Sequence, residues 1–247
     1  MRRARVVSTA LLLLVVGGSA MAHAQGRGNK QNDQGKKQDK QGKKQDQPAR
    51  VSPTEQRQRV QEQQQRTVQY RQQLDQQVRV AQQQQAQLQQ QRMAQSRVQQ
   101  AYAAQLRQQQ QSLQAARNYS NDPYMSTPHT YRYTVSGANR QTNQYGADVL
   151  RQAVNYGYQQ GVRAGGADRQ DRQAANYQNS FAYRDANYGY NGNYVSQADY
   201  NYYFREGFRR GYDDGYNTRS QYGTTSNGNT SILGNLLTSI LGFLPIR

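Results

Sequence analysis

Residues 156–168 read YGYQQGVRAGGAD and residues 202–214 read YYFREGFRRGYDD. Aligned at one fixed offset they pair Tyr156 with Tyr202, Tyr158 with Phe204, Gln160 with Glu206, Gly161 with Gly207, Arg163 with Arg209, Gly165 with Gly211 and Asp168 with Asp214, which marks an internal repeat. Glycines also recur every fourth residue, at Gly157, Gly161 and Gly165 in one copy and Gly207, Gly211 and Gly215 in the other. On a helix this interval forms one bare stripe. A glycine inside a helix costs about 1 kcal/mol relative to alanine, so six of them need an offset of roughly 6 kcal/mol, and close approach of two backbones provides one. The reading is a helical hairpin, with helices near 147–173 and 197–219 and with tyrosine rings over the glycine stripes. The other reading makes the glycines loop markers in a flexible Tyr-Gly-Asn tract. Around the repeats, Val149, Leu150, Val154, Val162, Phe181, Tyr183, Tyr188, Tyr190, Tyr194, Phe204 and Phe208 supply a small aromatic core for a domain spanning 138–222.

Upstream the composition differs. Ser52, Pro53, Thr54 and Glu55 combine a capping-box pattern with proline at the first helical position, and no Gly or Pro follows until after Arg117. Residues 51–117, rich in Gln, Arg, Ala and Leu, therefore read as one helix of about 65 residues, near 100 Å long at ~1.5 Å per residue. A seven-residue spacing selects Val60, Thr67, Leu74, Ala81, Leu88 and Tyr102. The companion row mixes Val78, Leu106 and Leu113 with Gln64, Arg71, Gln85, Arg92 and Gln99, so any coiled coil is weak. Weak homo-oligomerisation, a solitary solvated helix and a disordered Gln-rich segment all stay open. A linker is expected at 118–137, where Asn, Ser, Asp and Pro gather, and another at 223–230.

The final segment, 231–247, places Ile232, Leu233, Leu236, Leu237, Ile240, Leu241 and Leu244 at three-and-four spacing opposite Asn235, Thr238 and Ser239. That is an amphipathic helix of about a dozen residues, too short to cross a bilayer. It either docks on protein or makes peripheral membrane contact.

At the other end, Arg2, Arg3 and Arg5 precede an apolar run over 6–16 and a small-residue exit, Ala22, His23, Ala24, the pattern of a secretory signal over 1–24 cleaved between Ala24 and Gln25. Residues 25–50 follow as a Gly, Lys, Gln and Asp tail containing the tandem QGKKQDK and QGKKQDQ. With no apolar side chain to bury, the tail has nothing to set against backbone entropy of roughly 1–2 kcal/mol per residue, and disorder is expected. Every lysine lies in it, and Lys36, Lys37, Lys40, Lys43 and Lys44 form the candidate polyanion-binding cluster.

The whole chain of 247 residues has 32 Lys and Arg against 15 Asp and Glu, a formal charge of +17, which points to anionic partners. Hydrophobic residues make up 34% and there is no Trp, so the packing resource is thin and a single compact globule is not expected. Without cysteine there is no disulfide or thiolate site. His129 is the one histidine outside the signal, no phosphate-loop or G-x-S-x-G pattern occurs, and the aspartates at 168, 171, 185, 199, 213 and 214 do not follow a calcium-loop spacing. Surface pairing with arginine is the expectation for those carboxylates. No catalytic residue, metal, cofactor or small-molecule substrate is expected.

The two repeat copies, together with AYRDANYGY at 182–190 and YFREGFRRGYDDGY at 203–216, resemble a loose group of small secreted bacterial proteins with paired GY/GF glycine-tyrosine repeats. The likeness covers about a third of the chain, and the Gln-rich insert and apolar C-terminus depart from it. It implies export, to the periplasm, outer envelope or exterior, and transfers no activity and no functional residue. Together these features suggest an exported structural or interaction protein held to anionic envelope or extracellular polymers through basic and tyrosine-rich surfaces. The alternative is a nucleic-acid-binding or chaperone-like protein using exposed tyrosines as a stacking platform.

Overall fold

The computed structural model describes residues 50–88, 92–113, 118–226 and 229–246. The expected signal with its Ala24/Gln25 cleavage point, and the expected polyanion-binding lysine cluster, lie outside the described residues. The described chain is mainly helical.

Its centre is the pair α4 (Gln144–Gln170) and α6 (Gln197–Asn217), which make the most extensive contact between any two elements. Asn143 starts α4 by accepting from the amides of Tyr145 and Gly146, and Ser196 starts α6 through Asp199. The six repeat glycines form the interface. A β-carbon on Gly157, Gly161 or Gly165 would fall within 2.2 Å of the carbonyl oxygens of Phe204, Phe208 and Tyr212 respectively. One on Gly207, Gly211 or Gly215 would meet those of Val154, Tyr158 and Val162 equally closely. Backbone thus lies directly on backbone.

Two expectations need correcting. First, residue numbers rise together on the two sides of this contact, so the helices run parallel and do not form a hairpin. The structural register adds fifty to each number, Gly157 matching Gly207 and the Phe204 carbonyl matching that of Val154, whereas the sequence repeat aligns at a shift one helical turn shorter. Second, no tyrosine ring covers the glycine stripe, because carbonyl groups already fill it. Tyr156 sits to the side, its ring centroid 5.1 Å from that of Tyr188, and Tyr202 lies edge-on to Tyr203 at 5.2 Å.

Parallel helices demand a long return. The connection over 171–196 must retrace α4, whose 27 residues span about 40 Å at ~1.5 Å per residue. It does so through a 3-10 turn (Tyr177–Asn179) and a short helix, α5 (Phe181–Asp185), with left-handed backbone at Ala186, Gly189, Gly192 and Tyr194. Its Phe181 and Tyr190 join Leu150, Val154, Tyr158, Phe204 and Phe208 in one buried cluster. Along α6, Phe204, Phe208, Tyr212 and Tyr216 stack in sequence at 6.0–6.4 Å.

The Gln-rich region is not one helix. It forms α1 (Pro53–Leu88) and α2 (Met93–Ser112), antiparallel to each other: Gln99 Nε2 donates to the Ala81 carbonyl at 3.2 Å, and Gln110 bonds Asp75. The capping box at the start of α1 is present, the Glu55 amide donating to Ser52 Oγ at 3.2 Å. The break follows from tertiary contacts. Folding back lets Tyr70, Leu74, Val78 and Ala81 of α1 and Tyr102, Ala103 and Leu106 of α2 enter the same core as the repeat helices. The seam proposed for a second chain is therefore used within this one, and α1, α2 and the elements from β1 to α7 share a core that composition argued against. The seam glutamines hold the return connection: Gln63 bonds the Gly192 carbonyl and accepts from the Tyr194 amide at 2.7 Å, and Gln109 donates to the Tyr190 carbonyl at 2.5 Å.

The expected linkers carry structure. Residues 118–137 include α3 (Pro123–Ser126) and β1 (Tyr131–Val135). Strand β1 pairs antiparallel with β2 (Ala138–Thr142) across a turn in which Ser136 and Gly137 are both left-handed, matching the strand twist. The described residues of the second linker, 223–226 and 229–230, belong to an antiparallel pair, β3 (Gly223–Ser226) and β4 (Asn229–Ile232). The C-terminal helix α7 is shorter than expected, Gly234–Leu241, because Ile232 is in β4 and left-handed Gly242 stops it. Residues Leu244–Pro245 form β5 on the other edge of β1. Leu241 is buried, and Leu236, Leu237, Ile240 and Phe243 pack on the core, so α7 docks on its own chain. Among the described residues no helix is long and apolar enough to cross a membrane.

The glycine interface is testable with alanine. Gly161→Ala, whose new carbon meets the Phe208 carbonyl, should destabilise by about 1–3 kcal/mol despite the better helix propensity of alanine. Gly166→Ala, five residues further along α4, meets only the Gly215 carbonyl oxygen at 3.9 Å and should gain up to about 1 kcal/mol. Urea unfolding of both variants against the parent measures the contrast.

Candidate functional site

The acidic residues of the repeats are inside the fold. Tyr158 donates to Asp214 at 2.7 Å and Tyr212 to Asp168 at 2.6 Å, so each repeat aspartate accepts a phenol from the opposite helix. Tyr102 of α2 donates to Asp185 at 2.5 Å, Tyr133 of β1 to Asp199 at 2.9 Å, and Tyr194 to Asp122 at 2.5 Å. All five carboxylates are buried. Several bond backbone as well: Asp214 accepts from the amides of Gln221 and Tyr222 at 2.9 and 2.8 Å, which fixes the chain as it leaves α6. Asp171 accepts from the amides of Ala94 and Gln95 at 2.9 and 2.8 Å, and Asp168 pairs with Arg92. These two acids supply, from the end of α4, the cap that α2 lacks in its own sequence.

Surface arginine pairing, expected for the aspartates, is thus confined to fewer of them. Asp213 pairs with Arg219, Asp168 with Arg92 at the protein edge, and Asp199 lies 3.8 Å from Arg140. The others serve phenols and amides. Burial is the main cause that raises the Asp168 and Asp185 carboxyls above the usual range, opposed by the hydrogen bonds from Tyr212 and Tyr102. Burial likewise pushes the phenols of Tyr102, Tyr133, Tyr158 and Tyr212 upward, so these tyrosines stay protonated donors.

The surface is left to arginine. Lysine is confined to the tail, no arginine of the described chain is buried, and five acids are. Tyrosine contributes little outside: Tyr145, 40% exposed, is the one tyrosine that stands out among the described residues, and the rest are buried or half-buried. Most of the ring surface in the described fold is therefore turned toward the core, with Tyr145 and the edges of the half-buried rings left outside.

His129 is half-buried with its ring centroid 6.4 Å from that of Tyr124, and burial lowers its imidazole below the ordinary value. No group of three or more His, Asp or Glu side chains among the described residues is arranged to hold a metal ion. The repeat residues Gly157, Gly161, Gly165, Gly207, Gly211 and Gly215 come together as a packing interface, with Tyr156 and Tyr202 flanking it. The phenol–carboxylate pairing was not evident in sequence, although the matched Asp168 and Asp214 were its one signal. No protein-family model, curated protein or solved structure matches the chain. What the fold defines is a class: a helical, arginine-surfaced protein built on a parallel glycine-faced helix pair.

Tyr102→Phe leaves Asp185 without its phenol and should cost about 1–3 kcal/mol in chemical unfolding. The sign with pH follows from the raised Asp185: its protonated form is favoured in the fold, so stability is greatest below the unfolded carboxyl pKa of about 3.9 and is lost as pH rises through the folded value. The Phe variant should therefore suffer more at about pH 7 than at about pH 5, while Asp185→Asn should gain on the parent over the same rise. A Tyr102→Phe penalty that does not change with pH would show that Asp185 does not depend on this donor.

Proposed function

We propose that the protein is exported and works by non-catalytic association with anionic polymers of the cell envelope or exterior. The observation carrying this reading is the charge arrangement. The clustered lysines of the tail, Lys36, Lys37, Lys40, Lys43 and Lys44, are joined by a folded region whose exposed cations are all arginine, while its carboxylates are disproportionately buried against tyrosine. Arginine presents planar, bidentate donors to carboxylate and phosphate, so this surface suits polyanions of either type. The sequence pattern around Ala24 and Gln25 supports export.

A stacking platform for nucleic acid loses its support once the tyrosines are counted inside. Binding is then governed by ion release and should weaken steeply with salt.

Mature protein applied to an immobilised anionic polysaccharide should bind tightly at about 50 mM salt and release by about 200 mM. Replacing these five clustered lysines together by glutamine should move release to lower salt without abolishing retention, because the folded arginines remain. Retention indifferent to salt, or complete loss on replacing the lysines, would contradict separate contributions from tail and fold.

A further inference from the structure

Between α1 and the α5–α6 side of the protein lies a cleft of about 420 Å³. That volume falls in the range of small-molecule sites, about 300–1,000 Å³. Its α1 wall is Gln73, Gln76, Gln77 and Val80. The facing wall includes Phe181, Arg184, Asp185, Asn187, Gln197, Asn201 and Arg205. Side-chain amides therefore line both walls, with two guanidinium groups against one carboxylate.

Four details make this a built site. The Gln77 Oε1 atom of the α1 wall is buried and has no hydrogen-bond partner, an unmet acceptor that a rotation of the side chain would turn toward a ligand. Arg205 is fixed by donating from Nε to the Tyr183 carbonyl at 2.9 Å and from Nη2 to the Arg184 carbonyl at 2.7 Å, with its guanidinium carbon 5.8 Å from the centre of the Tyr183 ring. Arg184 is exposed at the rim and bonds Gln84 through Nη2 at 3.1 Å, which leaves Nε and Nη1 for another acceptor. Asp185 is held by Tyr102 and Asn187, so its oxygens are oriented before any ligand arrives.

Amides both donate and accept, which matches vicinal hydroxyls that do the same. The excess of guanidinium over carboxylate adds selectivity for one negative charge, and the planar fork of arginine fits a carboxylate. We infer that this cleft binds a hexuronate unit of an acidic polysaccharide, with ring hydroxyls on Gln77, the neighbouring amides and Asp185, and its carboxylate on Arg184 at the rim. This rests on the polyanion reading above and gives it a recognition site: the tail and surface arginines hold the polymer by charge, and the cleft reads one sugar of it.

The test is calorimetric titration of the full mature protein with digalacturonate, and with neutral galactobiose, at about 0.15 M salt, where long-range charge effects are largely screened. Saturable binding of digalacturonate and none of galactobiose is expected. Arg184→Ala, at an exposed position, should weaken it about tenfold, and Gln77→Leu comparably, while Arg132→Ala on exposed β1 should leave it unchanged. No saturable digalacturonate binding overturns the cleft assignment, as does equal weakening by Arg132→Ala and Arg184→Ala, which would mark undirected charge attraction. If the salt-sensitive retention on immobilised polysaccharide persists in that case, the broader function stands and the cleft alone is refuted; if retention is also absent, both readings fall.

Discussion

The direct contact between the backbones of α4 and α6 is the constraint from which the remaining architecture follows. Two parallel helices touch carbonyl to α-carbon at six glycines, and none of the six has space for a methyl group. So close an approach adds dispersion contact along the whole interface and offsets the propensity lost to glycine. It also dictates the topology. A parallel pair cannot be closed by a short turn, so the chain returns over 171–196, and that return lays an aromatic-rich, irregular segment across the pair. The irregular segment carries backbone polar groups that need partners, and the glutamines of α1 and α2 provide them at Gly189, Tyr190, Gly192 and Tyr194. The Gln-rich helices are thus a cover for the return connection as well as a part of the core.

A second economy concerns the interior. With few aliphatic residues available, the core is built mostly from tyrosine, phenylalanine and alanine, with leucine, valine and isoleucine as the minority. Tyrosine carries a large apolar ring and a hydroxyl that must be bonded when buried. Carboxylates meet five of those hydroxyls. Acid and phenol are each costly to bury alone, and each removes the other's penalty. The same pairing clears negative charge from the surface, which links the interior to the electrostatic character of the outside.

Much of the fold was legible. The glycine stripe announced two helices in close contact, with limits within a few residues of α4 and α6, and Ser52 through Glu55 marked the start of α1. What was hidden depended on distant residues. No local signal marks the break between α1 and α2, because Asp168 and Asp171 cap it from the end of α4. Helix direction was equally hidden: a stripe of glycines fits parallel and antiparallel packing alike, and repeat alignment suggested a register one turn away from the structural one. The β3–β4 pair was signalled only by Asn227 followed by Gly228, a strong hairpin dipeptide that reads as a linker when its flanks are Thr and Ser. Of the candidate site, the charge was legible, whereas the cleft joins residues from three separate stretches and no motif gathers them.

The buried phenols also set an upper boundary on the conditions this protein can withstand. An unfolded tyrosine ionises near pH 10, while Tyr70, Tyr102 and Tyr200 are held by desolvation well above that value. Each is stabilising below its unfolded pKa and increasingly costly beyond it, and the penalties accumulate because all titrate over the same interval. In strong alkali the chain would therefore stay folded up to a narrow threshold and then lose its core at once as phenolates form together.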